Sequence, residues 1–128
     1  MEIKVRQVDD FAVVRVEGRI VRENHGELRT TLEELISQGT KGIALDFEAV
    51  DYMDSSGLGS CAAARKLLKE KGHGAIVMFA PSPNVEKMWK LIRLDLAIPC
   101  FQKEKDALSR LKAETVKGEA SQPPRISG

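Results

Sequence analysis

Apolar and polar positions change their period several times along this chain, and each change marks an element. Residues 3–8 alternate, residues 11–17 are more continuously apolar, and Asp9-Asp10 between them suggests a hairpin with a two-residue turn. Gly18 is expected to close the second strand. Leu28, Leu32, Leu35 and Ile36 then follow the i, i+4, i+7, i+8 spacing of an amphipathic helix. Asn24 with Glu27 three residues on resembles a capping box, and Gly39 marks the helix end. A short strand is predicted over 43–47, and a helix runs from Leu58 to Lys71, stopping at Gly72-His73-Gly74. The stretch 75–80 is continuously apolar, as a strand covered on both faces would be.

Ser82-Pro83 starts the next helix, since proline suits the first helical position, and Val85, Met88, Trp89 and Ile92 form its apolar stripe. Ile98-Pro99-Cys100-Phe101 reads as an edge strand, because proline cannot donate to a central ladder. Leu108 and Leu111 mark a last helix beginning near Asp106. From Val116 the composition holds nothing to bury, so residues 1–115 are expected to form one domain and 116–128 a disordered tail. The order of elements calls for an α/β fold: a mixed sheet of four to five strands, an antiparallel hairpin followed by parallel strands, packed with about four helices.

With 128 residues, 42% of them hydrophobic and 30% charged, one globular core is expected. Aromatics at 5% argue for an aliphatic core and against a base-stacking surface. A net charge of +1 supplies no field to draw the chain to nucleic acid or anionic lipid. With no signal-peptide segment and no run of the roughly 18 apolar residues that a membrane span needs, the expectation is a cytoplasmic protein without membrane insertion. Cys61 and Cys100 are expected to be reduced core thiols.

The chemistry concentrates in Asp51-Tyr52-Met53-Asp54-Ser55-Ser56-Gly57-Leu58-Gly59, where a strand should hand over to a helix. Ser55 or Ser56 is placed to cap that helix by accepting from a free N–H of its first turn. The same position would suit a displayed serine, because the helix dipole and its N–H groups favour an added phosphate. Enzyme readings lack partners: no G-x-S-x-G elbow surrounds these serines, and His25 and His73 sit in capping or turn segments. Gly39-Thr40-Lys41-Gly42 lacks the spacing of a phosphate-cradling loop. Asp46, Glu48, Asp51 and Asp54 could suggest a divalent metal, but not at EF-hand spacing, so no metal or cofactor is expected.

Leu45-Asp46-Phe47, then Val50, then Tyr52-Met53 and Asp54-Ser55-Ser56-Gly57-Leu58-Gly59 resembles the signature of STAS domains, and within them the bacterial anti-sigma-factor antagonists. The likeness extends over about residues 3–112 and implies a STAS-like sheet and helices. It also implies that Ser55, directly after the aspartate, is the phosphoacceptor, with Ser56 as the fallback. Asp54 and Ser56 would flank it, and Gly57, Leu58 and Gly59 would open the helix that contacts the partner. The implied partners are an anti-sigma factor that is itself a serine kinase and a serine phosphatase. The protein would then be a substrate in the regulation of transcription and not a catalyst. Where such antagonists commonly carry an acidic residue, this chain has Gly18-Arg19-Ile20-Val21-Arg22. Arg19 and Arg22 make that rim basic and could pair with a phosphate. The basic rim also motivates a second reading, a STAS interaction subunit that never switches, within a larger signalling or lipid-transport assembly. A third is small-molecule or nucleotide binding near the same helix.

Overall fold

Chain reversal at Asp9, which adopts a left-handed backbone (φ 55°), closes β1 (Glu2–Val8) onto β2 (Phe11–Ile20). Val8 pairs with Phe11 across it, so the expected two-residue turn is present. The computed structural model describes residues 1–72 and 74–120, the last five as backbone only. β3 (Gly42–Met53), β4 (Ala75–Phe79) and β5 (Cys100–Phe101) complete one sheet in the order β1-β2-β3-β4-β5. The first pair is antiparallel and the other three are parallel.

This order explains the layers. From β2 to β5 the chain steps always in one direction, and right-handed crossovers then deliver every connecting helix to the same face. Accordingly α1 (His25–Ser37), α2 (Ser55–Glu70) and α3 (Pro83–Leu91) share a core that includes Leu28, Leu32, Leu58, Cys61, Leu68, Val85 and Trp89 with the inward side of the sheet. Trp89 packs edge-on against Phe47, centroids 6.0 Å apart, and donates from Nε1 to the Ile98 carbonyl at 2.9 Å. The last helix, α4 (Glu104–Ala120), covers the opposite face over Phe11, Val13, Ala44, Val77 and Phe79 through Ala107 and Leu111.

Several expected boundaries move. β2 does not close at Gly18; it passes through Gly18 (φ 105°) with register shifts around it and continues to Ile20. β3 runs six residues beyond Phe47, because Tyr52 and Met53 still pair with Arg19 and Ile20. The capping box of α1 does not form. The Asn24 side chain instead closes the preceding turn, accepting from Val21 N–H and donating to the Arg19 carbonyl, both at 2.8 Å. Ile92 is exposed rather than on the apolar stripe, because Arg93 takes a left-handed conformation (φ 61°) and ends α3 before it. Gly39 (φ 92°) terminates α1 as expected, and Ser82 caps α3 by accepting from Val85 N–H at 3.3 Å. The last helix begins at Glu104 and its backbone runs to Ala120, five residues past the composition change; the rest of the segment read as a tail, 121–128, and His73 of the expected turn lie outside the described residues. Cys61 is buried, which pushes its thiol up to about 12, while Cys100 is only partly buried.

Candidate functional site

The extended ends of β2 and β3 build the surface around Ser55. Gly18 is the device: by bending β2 rather than ending it, it carries Arg19 alongside Tyr52 and Ile20 alongside Met53. The Asp54 amide donates to the Ile20 carbonyl at 3.1 Å, which fixes the handover from strand to helix. Gly57 is then pressed on the two strand ends. A Cβ there would lie 2.7 Å from Met53 Cγ and 2.8 Å from Ile20 Cγ2, so only glycine lets the first turn of α2 approach this closely.

The cap of α2 is Asp54, not Ser55 or Ser56. Its Oδ1 accepts from the Ser56 and Gly57 amides at 2.9 and 3.3 Å, and its Oδ2 accepts from the Arg22 amide at 3.0 Å. One carboxylate thus ties the helix start to the turn that leads into α1. Desolvation opposes its charge, but the three amide donors, from Arg22, Gly57 and Ser56, and the nearby His25 outweigh that and hold its pKa below the ordinary aspartate value.

With the cap supplied by Asp54, Ser55 at the first helical position is exposed and its hydroxyl makes no hydrogen bond among the described residues. Ser56 is partly buried and Gly59 is exposed, with nothing within 4 Å of the place a Cβ would occupy. Gly57 and Leu58, in contrast, are buried and face the core. Of the residues that the resemblance assigns to partner contact, the outer surface therefore consists of Asp54, Ser56 and Gly59 around Ser55. Tyr52, exposed beside them, was not singled out from the sequence as a surface residue. The Arg19 guanidinium stacks over its ring at 4.9 Å from the centroid. No period-2 alternation marks Tyr52 in the sequence, since the inward residues Phe47, Val50 and Met53 stand three apart. Arg22 is exposed, and its guanidinium makes no ion pair among the described residues.

The other candidates do not assemble a reactive centre. Asp46 is held by Arg15 at 3.0 Å, Glu48 approaches the same guanidinium at 3.5 Å, and Asp54 is engaged as a cap; among the described residues no three such groups come together to hold a metal. His25 Nδ1 lies 2.8 Å from Ser60 Oγ, a distance that would suit a nucleophile and its base. That serine is 2% exposed, however, and also points toward the His25 carbonyl, so the pair joins α1 to α2 inside the protein. No helix among the described residues is long and apolar enough to cross a membrane.

The chain is thus a mixed α/β domain that sets an exposed serine beside a carboxylate-capped helix start, and comparison with known proteins supplies the family. Residues 2–107 match the STAS domain family, and this chain belongs to it. The anti-sigma F factor antagonist of Paenibacillus polymyxa is 26% identical over 113 residues, covering 88% of this chain and 96% of that protein. A crystal structure of a putative anti-sigma factor antagonist from Thermotoga maritima superposes with a TM-score of 0.80 at 22% identity, over 86% of this chain and 94% of that one. The Bacillus protein SpoIIAA in its phosphorylated form gives a TM-score of 0.68 at 23% identity, over 85% of this chain and 98% of that one. These likenesses agree with the observed fold of five strands and four helices.

Proposed function

We propose that this protein is an anti-sigma-factor antagonist acting in the cytoplasm. With Ser55 unmodified it binds an anti-sigma factor that is also a serine kinase and so releases a sigma factor for transcription. Phosphorylation of Ser55 ends that binding, and a serine phosphatase restores it. The protein is the substrate of the switch, and no side chain of its own needs to do chemistry. The observation that carries this reading is the exposed Ser55 hydroxyl, which capping by Asp54 leaves without a structural task.

Physical chemistry supports an outward-facing switch. A phosphoserine adds about −1.5 to −2 charges. The Ser56 and Gly57 amides, which could have received those oxygens, are already occupied by Asp54. The new charge therefore stays at the surface, next to a carboxylate, with Arg22 one hydrogen bond away through its backbone and Arg19 on the neighbouring strand end. A partner fitted to a neutral hydroxyl would meet that charge directly. A like charge about 5 Å away costs about 3 kcal/mol at an effective dielectric of 20, which is roughly a hundredfold in affinity. The resemblance to antagonists in sequence and to SpoIIAA in fold supports the same reading.

The test is intact-mass and peptide mapping after incubation with the cognate kinase and ATP, together with partner-binding titrations of Ser55→Ala and Ser55→Asp. A single phosphate on Ser55, binding retained by the alanine variant and lost by the aspartate variant are expected. No phosphate on Ser55 and equal binding by both variants would leave the non-switching interaction subunit as the reading.

A further inference from the structure

The two edges of the sheet are unequal. β5 ends it with two residues, whereas β1 ends it with seven, and Glu2, Lys4, Val5, Arg6 and Gln7 of that strand are all exposed, Val5 by 44%. A two-residue loop makes its flanking residues, Val8 and Phe11, a hydrogen-bonded pair. Alternation along the antiparallel ladder then turns the amides and carbonyls of Arg6, Lys4 and Glu2 toward β2. Those of Ile3, Val5 and Gln7 point the other way, off the sheet. Among the described residues these groups have no backbone partner beyond the hairpin. No register shift interrupts the pairing with β2, and no proline stands in the strand.

Side chains decide which strand fits there. Ile3 packs on the core under α1, α2 and α3, so Val5 and Gln7 lie on that face, while Arg6 pairs with Glu104 of α4 and shares the opposite face with Glu2 and Lys4. Charges of one sign would repel a second β1 in every register. Here the sign changes along the strand, so the antiparallel registers differ. Centred on Val5, two copies of β1 overlap fully but set Lys4 against Arg6 twice. Centred on Arg6, they set two arginines together, and centred on Ile3 they overlap over Glu2–Lys4 alone. Centred on Lys4, they set Glu2 against Arg6 and Ile3 against Val5, each twice. Only the two Lys4 side chains then meet, and each has Glu2 and Glu17 of its own chain within 3.8 and 3.6 Å.

We propose that β1 pairs with β1 of a second copy of this chain, antiparallel and centred on Lys4, which joins two five-stranded sheets into one continuous sheet. The exposed pairs between Glu2 and Arg6 are worth little each and set the register. Backbone bonds exchanged between Ile3 and Val5, with the apolar contact of the same residues, supply the attraction. The two-fold axis stands perpendicular to the sheet, so α1, α2 and α3 of both copies share one face and both α4 helices share the other. Ser55 follows β3, two strands in from this edge, and the pairing leaves it uncovered in both copies. Two such strands bury far less than the roughly 1,200 Å² at which stable interfaces begin, so the dimer is weak and forms only at high concentration.

The experiment is sedimentation equilibrium over a concentration series at low salt, with hydrogen exchange of the β1 amides at both ends of the series. The weight-average mass should climb from 14.1 kDa toward twice that, with half-association at about 0.1–1 mM. Exchange at Ile3 and Val5 should slow as concentration rises, while Lys4 and Arg6, whose amides already bond to β2, should not change. Val5→Pro removes an amide that points away from β2, so the hairpin keeps its ladder and the variant should stay monomeric with unchanged circular dichroism. Glu2→Arg and Arg6→Glu should each weaken association about fivefold or more, and the two together should restore it to within about twofold. A monomer at every concentration up to about 1 mM would overturn the proposal, as would a dimer that Val5→Pro leaves intact. So would single and double charge variants of equal affinity, since the contact would then lie on another surface.

Discussion

Helices α2 and α3 both start where a parallel strand ends, at the same edge of the sheet, and both have serine at that junction. At α3 the serine is the cap: Ser82 has extended backbone, accepts from Val85 N–H at 3.3 Å and is followed by Pro83. At α2 the extended capping residue is Asp54, and the serine comes one position later, inside the helix, where its hydroxyl is not needed. A shift of one residue separates a serine used by the fold from a serine offered to solvent. The carboxylate can also do what a hydroxyl could not, since its second oxygen reaches the Arg22 amide across to the β2–α1 turn. The Ser55 hydroxyl is therefore left to solvent because the cap is aspartate.

Substitutions break this comparison to different degrees. Asp54→Ala is expected to give the largest loss of melting temperature, because three amides lose their acceptor at once. The loss should depend on pH. The folded-state pKa of Asp54 is depressed, so its contribution is present above the unfolded value of about 3.9 and fades as pH falls through the lower folded value. Thermal melts of the wild type and Asp54→Ala should converge in that acid range, and a gap that widened there would refute the assigned role. Gly57→Ala comes next, at about 2 kcal/mol by chemical denaturation: overpacking against Met53 and Ile20 exceeds the gain of about 1 kcal/mol in helix propensity. Gly59→Ala, two residues on and with open space around it, should instead stabilise by up to about 1 kcal/mol.

Ser82→Ala should cost about 1 kcal/mol, the ordinary value for a lost cap. Ser55→Ala should stay within about 0.5 kcal/mol of the wild type in the same denaturation series. A Ser55→Ala loss as large as that of Ser82→Ala would mean that the Ser55 hydroxyl is structural after all. That single result would remove the contrast between the two helix starts.

Much of the fold could be read from local pattern because the relevant partners lie within a few residues. The Asp9 turn, the Gly39 stop, the Ser82-Pro83 start and the edge character of the Pro99 strand all depend on backbone geometry or on missing donors at those residues. The second half of β3 could not be read this way. Beyond Phe47 only every third residue, Val50 and Met53, turns inward, with Glu48, Asp51 and Tyr52 exposed between them, because the pairing with β2 shifts register here. That pattern makes sense only once α4 is seen to cover the other face no further than the level of Phe79. Ile92 was misassigned for a similar reason, since its period continued the helix while the left-handed Arg93 ended it.

The sequence alone determined that a strand hands over to a glycine-rich helix at Asp54-Ser55-Ser56-Gly57, and that a serine would stand at the junction. Which residue became the cap was a tertiary decision. The Arg22 amide that holds Asp54 Oδ2 is 32 residues away in the chain, and the Ile20 carbonyl that holds the Asp54 amide arrives only because β2 bends at Gly18 and continues. The shortness of β5 has the same origin, since Pro99 has no N–H to donate and Arg65, from another helix, takes the Ala97 carbonyl. Periodicity and turn chemistry act over a few residues and leave their mark in order. Hydrogen-bond partners brought in from distant segments are fixed only when the sheet closes.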